Sequence, residues 1–251
     1  MTEKINFRYV LFLAATAGLG GILFGFDIAI ITGAGPFLTL HFNLSDLSLG
    51  WAFSSLLFGC VLGSAVAGRL ADRYGRRRLL RIAGLFAVTS VASGLAPNFP
   101  GLIIARFLGG LAVGGISLIS PMYVAEVSPP SLRGRMGTLY QLSIVAGAFT
   151  SYCINYLMRN LGPENWRWMF ITGVAPSTLF FILLLFAPET PRYLVMVGKH
   201  MDARRILERI AGSARAESAI SEIKASLEMK RVLGEIFSSP GFGVRLQSVF
   251  A

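Results

Sequence analysis

The sequence predicts an all-α membrane protein: six spanning helices, then short amphipathic helices on the cytoplasmic side. Three observations carry this. Hydrophobic residues make up 54% of the chain and charged residues only 14%, against about 25% charge in a soluble domain. The charge gathers in short runs between long apolar stretches. Those runs of Lys and Arg favour alternate joints, which is the topology signal of a multi-pass protein.

A spanning helix needs about 20 apolar residues, and the candidates follow in order. The first, Tyr9–Ala34, starts after Lys4 and Arg8 and meets Gly35-Pro36. The second, Leu49–Leu70, runs into the dense charge of Gly68–Arg78, where Gly68 and Gly75 would let the backbone turn and Asp72 lies within reach of the neighbouring arginines. The third, Leu79–Ala96, ends at Pro97, and the fourth, Pro100–Ala125, ends before Pro129-Pro130. The fifth, Met136–Met158, follows Arg133 and Arg135 and ends before Gly162-Pro163; the sixth, Trp168–Ala187, ends at Pro188. Glycine and proline at these joints are expected breakers.

Sides follow from the basic residues. The N-terminal tail, the second joint (Arg69, Arg73, Arg76, Arg77, Arg78, Arg81), the fourth joint and everything after Arg192 carry Lys or Arg. Residues 35–48 and 97–100 carry none. Both termini are therefore expected in the cytoplasm, with an even number of spans. Beyond the bundle, Ala203, Ile206, Leu207 and Ile210, then Ile220, Ile223 and Leu227, recur at helical spacing between charges. They read as amphipathic helices under the membrane, with a disordered charged tail as the alternative. The expected divisions are a tail (1–8), a six-helix bundle (9–187), a cytoplasmic helical domain (188–237) and a final segment (238–251).

The same distribution excludes other classes. The net charge of +10 sits in loops and the tail, so it marks topology and not a nucleic-acid surface. Cys60 and Cys153 lie in apolar spans, and His41 and His200 are far apart, so no disulfide or metal site is expected. No cleavable signal peptide is visible. No nucleophile–base pair or phosphate loop is present, so the chain is not expected to be an enzyme. Glycines recur at Gly18, Gly21 and Gly25, at Gly59 and Gly63, and at Gly109, Gly110, Gly114 and Gly115. They predict closely packed helices and nothing about a substrate.

A charge within a span costs about 2.5–3.5 kcal/mol on insertion scales and is a functional hypothesis by default. Asp27 and Arg106 lie about seven and about six residues from the outer ends of their spans, so at about 1.5 Å per residue both sit about 10 Å below the outer surface. Opposite charges at one depth should pair. Protonation of Asp27 would release Arg106, which makes a proton-coupling switch; a static structural pair is the alternative. Phe24, one turn before Asp27, either faces the same cavity or packs in the core or against lipid. Gln141, with Tyr140 beside it, either bonds a neighbouring helix or faces a polar ligand such as a sugar hydroxyl, since an amide both donates and accepts. Glu126 and Arg133 flank Pro129-Pro130 and are able to pair with Asp72, Arg73, Arg76 or Glu189, or to form a solvated surface cluster.

These residues together resemble the sugar porter family of the major facilitator superfamily, which includes xylose–proton and arabinose–proton symporters and facilitative glucose transporters. The resemblance rests on Gly20-Gly21-Ile22-Leu23-Phe24-Gly25-Phe26-Asp27, on Gly68–Arg78, on Ala105-Arg106-Phe107-Leu108-Gly109-Gly110 and on Ser120-Pro121-Met122-Tyr123-Val124-Ala125-Glu126. It continues through Leu132-Arg133-Gly134-Arg135, Trp166-Arg167-Trp168-Met169-Phe170 and Pro188-Glu189-Thr190-Pro191-Arg192. It implies the N-terminal half of a major facilitator fold, a 3+3 inverted repeat, with the C-terminal half missing after residue 237. It further implies that Asp27 carries the proton and pairs with Arg106. In uniporter members the aspartate is absent, so its presence favours symport. Phe24 and Gln141 would contact the sugar, and Asp72, Arg73, Arg77, Glu126, Arg133, Glu189 and Arg192 would form a cytoplasmic gate. Some members carry a second sugar-contacting glutamine two turns on, where this chain has Ala148. The expected activity is proton-coupled transport of a sugar or polyol by alternating access, in a multi-pass bacterial inner membrane, with no cofactor beyond the proton. The missing half or a second copy of the chain would complete the site. A proton-independent facilitator, and a truncated non-transporting or sensor protein, are the alternatives.

Overall fold

The computed structural model describes residues 5–83 and 86–238. The expected final segment beyond Ser238 and the first half of the N-terminal tail therefore lie outside the described residues. The chain is helical throughout its described elements: α1 Phe7–Phe42, α2 Asp46–Tyr74, α3 Arg76–Ala83, α4 Phe86–Gly94, α5 Phe99–Val127, α6 Pro130–Met158, α7 Asn165–Ile171, α8 Val174–Phe186, α9 Pro191–Met196, α10 His200–Ala211 and α11 Ser213–Ser238. It divides into two compact units, Phe7–Thr190 and Pro191–Ala251 with Met1–Asn6.

The first unit is the six-helix bundle of the expected fold class. Four of its described segments are long and apolar enough to cross a membrane: α1, α2, α5 and the run Asn165–Phe186 that joins α7 and α8. The fifth expected span, α6, has the same 29 residues as α2 and α5. It carries Arg133, Arg135 and Gln141 within its length. The third is described as α3 and α4, either side of residues 84 and 85.

Local signals explain most boundaries. Ser45 caps α2 by accepting from the Ser48 N–H at 3.3 Å, and Asn98 caps α5 by accepting from the Gly101 N–H at 2.9 Å. Such caps satisfy N–H groups that a helix start leaves orphaned. Two expectations at the joints need correction. Gly35-Pro36 does not end the first helix, which continues to Phe42 with Pro36 inside it. A proline removes one hydrogen bond, to residue 32, and the fully buried Ala34 and Leu38 hold the extra turns in the core. Gly68 likewise lies inside α2; the turn is made at Gly75 alone, whose φ of 95° is a conformation glycine adopts without strain.

Two helix pairs form the framework: α1 with α6, and α2 with α5. Both are closed by glycine against backbone. On one seam a Cβ at Gly25 would collide with the Ile144 carbonyl, and one at Gly147 with the Ile22 carbonyl. On the other, Gly59 faces the Phe107 carbonyl, Gly63 that of Leu111, Gly110 that of Leu56 and Gly114 that of Cys60. Span 1 with span 5 and span 2 with span 4 are the pairs that a 3+3 inverted repeat exchanges. At one end of the bundle Phe26, Ile30, Ala34, Leu38, Trp166 and Phe170 form the apolar core. The outer faces of α2 and α6 expose Phe58, Val61, Val145 and Phe149.

The second unit has its own small core. Leu194, Val195 and Ala203 are buried, with Ile206, Ile220, Ile223 and Leu227 packed against them. The residues that recur at helical spacing thus lie on faces that pack together. Arg204 bridges α10 and α11, reaching Glu208 at 2.8 Å and Glu217 at 3.1 Å.

Candidate functional site

Asp27 and Arg106 meet in the bundle interior. Arg106 Nη1 donates to Asp27 Oδ1 at 2.8 Å, with side-chain exposures of 2% and 7%. The pair is thus sheltered from water, where an ion pair is worth keeping only if its remaining polar atoms are satisfied. They are not: Asp27 Oδ2 and Arg106 Nε and Nη2 are buried without a hydrogen-bond partner. The Phe170 ring stands 5.3 Å from the guanidinium carbon and offers its negative face. Beside the pair lies a small cavity, about the size of one water, walled by Thr89, Ser90 and Ser93 of α4 and by Phe170 of α7.

Phe24 is half-buried and does not line this cavity. Gln141 is exposed on α6 and makes no hydrogen bond among the described residues. Of the two readings of this amide, bonding to a neighbouring helix is absent here.

The charged residues at the opposite end form a second cluster. Arg76, with a side chain 3% exposed, reaches Asp72 at 2.8 Å and Glu126 at 3.1 Å, and donates to the Ala71 carbonyl at 3.1 Å. Glu189 grips the start of α3: its carboxylate accepts from the backbone N–H of Arg76 and Arg77 at 3.1 Å each, and from its neighbour Thr190 at 3.0 Å. A carboxylate at a helix N-terminus is favoured by the helix dipole. Burial pushes the Glu189 carboxyl above its ordinary value, and these N–H groups and the Arg76 charge pull it the other way. In return Arg77 donates to the Leu185 carbonyl at 2.7 Å and Arg81 to the Leu184 carbonyl at 3.2 Å. These carbonyls belong to the last turn of α8, which lacks partners of its own. Tyr123 donates to the Pro188 carbonyl at 2.8 Å.

The other expected gate residues are placed differently. Arg73 lies over the Tyr74 ring, 5.3 Å from its centre. Arg133 donates to the Ala125 carbonyl at 3.1 Å. Arg192 belongs to the second unit.

Sequence reasoning left out three residues that the structure makes prominent. Arg76 entered only as one of several partners for Glu126, yet it is the centre of the cluster; its spacing of four from Asp72 was the available signal. Tyr123 lay within a quoted motif but had no role. Asn155 donates to the Ala29 and Ile30 carbonyls at 3.4 and 3.3 Å, clipping α6 to α1. A lone amide in an apolar span was the signal there.

Residues 13–250 match the profile of a family described as Sugar (and other) transporter. The arabinose-proton symporter of Bacillus subtilis is 38% identical over 250 residues, which cover 96% of this chain and 54% of that protein. The glucose transport protein of Synechocystis is 40% identical over 250 residues, covering 94% of this chain and 53% of that protein. Among solved structures, the proton:xylose symporter XylE of E. coli superposes with a TM-score of 0.87 at 36% identity, covering 91% of this chain and 55% of that one. The chain spans about half the length of the curated relatives it matches.

Proposed function

The chain belongs to the Sugar (and other) transporter family, and on that premise we propose that it is the N-terminal half of an alternating-access transporter that couples a sugar or related polyol to protons. The observation that carries the coupling is the buried pair of Asp27 and Arg106. With Asp27 ionised, the attraction ties α1 to α5. With Asp27 protonated, Arg106 loses its counter-charge and the tie weakens. Burial makes that difference large, because low-dielectric surroundings strengthen charge–charge forces.

The sugar site would lie between this half and a second one, with Gln141 on the exposed face of α6 and Phe24 on α1 as this half's contributions. An exposed, unbonded amide is suited to a hydroxyl ligand. The second half is a separate segment or a second copy of this chain. The cluster of Asp72, Arg76, Arg77, Glu126 and Glu189, with Arg73 and Arg133 of the same unit, would act as the cytoplasmic gate. Both termini would then be cytoplasmic in a multi-pass plasma membrane, as the distribution of Lys and Arg requires.

The test is uptake of labelled sugars by the intact transporter carrying these residues. Asp27→Asn is expected to abolish accumulation against a gradient while leaving exchange partly intact. Accumulation that survives both Asp27→Asn and an uncoupler would overturn the coupling and leave a facilitator. Gln141→Ala is expected to weaken sugar binding without disturbing membrane insertion. An unchanged binding constant would remove Gln141 from the site.

A further inference from the structure

The geometry points to a water-binding site on the α4 side of the Asp27–Arg106 pair, where one water relays the proton to Asp27. This rests on the proton-coupling reading above and adds a route to it. The cavity there leaves room for about one water molecule. Its walls supply the partners such a water needs. Asp27 Oδ2 is a buried acceptor, and Arg106 Nε and Nη2 are buried donors, all without a protein partner. Ser90, 5% exposed, lines the same cavity, with its hydroxyl packed against Gly173 at the break between α7 and α8. Two to four polar contacts are what a buried water requires.

The charged and titratable groups that face this place are few. Asp27 comes from α1 and Arg106 from α5; α4 brings hydroxyls and α7 the Phe170 ring. The relay step balances simply. The water gives one proton to Asp27 Oδ2, breaking one of its O–H bonds and forming another on the carboxyl, and regains a proton from the medium. Arg106, left without a counter-charge, keeps the water oxygen as acceptor and the Phe170 face as a partner. Neither Phe24 nor Gln141 lines this cavity. Proton and sugar therefore reach this half from different sides.

The experiment is infrared spectroscopy of the intact protein in lipid nanodiscs, reading the carboxylic C=O band that Asp27→Asn removes. Gly109→Ala places a methyl in the cavity wall, 3.1 Å from Thr89 Oγ1 and 3.3 Å from Phe86, with no backbone in its way. Ser90→Ala removes a polar wall without adding bulk. In both variants the Asp27 band is expected to move toward the free-carbonyl position, and its deuterium exchange to slow roughly tenfold, as when a positioned proton-transfer group is lost. The amide bands should stay unchanged. A band that titrates in the wild type, with position and exchange identical in both variants, overturns the relay and leaves proton coupling standing. A wild-type band that never titrates overturns both.

Discussion

Two arginines in this bundle are equally hidden and differently held. Arg76 and Arg106 have side chains 3% and 2% exposed. Arg76 is shared among Asp72, Glu126 and the Ala71 carbonyl, with Glu189 fixing its backbone. Arg106 has one carboxylate, and two of its nitrogens have no protein partner. Redundant partners make a latch that survives the loss of any one. A single partner is what the proposed switch requires, because one proton would remove the only counter-charge.

The largest effect should fall on the switch. Arg106→Ala strands Asp27 in the interior and is expected to cost about 3–5 kcal/mol, read as a fall in thermal midpoint of the detergent-solubilised protein. Asp27→Asn combined with Arg106→Leu should recover most of it. If the double variant melts as low as the single, the cost lies in packing and the comparison loses its electrostatic basis. Next comes the seam that carries Asp27. Gly25→Ala drives a methyl into the Ile144 carbonyl and should cost about 1–3 kcal/mol by overpacking. A neutral result would show that α1 and α6 can separate freely.

The latch should yield less. In Glu126→Gln, Arg76 keeps Asp72, so the expected loss is about 1 kcal/mol. A loss equal to that of Arg106→Ala would end the distinction between latch and switch. The smallest effect is a slope. Glu189 titrates above its ordinary 4.5 in the folded protein. The folded state therefore holds more protons than the unfolded state above that pH, and stability falls as pH rises through the raised value. Glu189→Gln should flatten this part of a melting profile taken across that range, and an unchanged slope would assign it to another group.

The pairing of Asp27 with Arg106 could be read from the sequence, and the Arg76 cluster only in outline. A lone carboxylate and a lone guanidinium in apolar spans stand out, and helix rise puts them at one depth. Among the three consecutive arginines after Gly75, only the spacing of Arg76 from Asp72 offers a clue, and a weak one across the break at Gly75. Which of them turns inward depends on where α3 starts, and that is set by Glu189, 113 residues away. Pro36 misled for a related reason. Local rules count the hydrogen bond it removes, but the buried side chains beyond it decide whether the helix continues. Gln141 and Asn155 are both amides on α6, yet one is exposed and the other clips α1. Fourteen residues apart, they lie on nearly one face of α6 and differ by about 21 Å of height along it, so periodicity alone could not tell which of them meets α1.

The reciprocal glycine contacts between α1 and α6 have a mechanical consequence. Where two helices touch through side chains, rotamers act as springs and absorb small slips. Here Gly25 rests on the Ile144 carbonyl and Gly147 on the Ile22 carbonyl, so at these two points the backbones mesh like gear teeth with no side chain between them. Asp27 stands two residues beyond one tooth, and Gln141 three residues before the surface it bites. A displacement of α1 at the carboxylate would therefore tend to carry the α6 backbone near the amide with it, as travel of a stiffened pair.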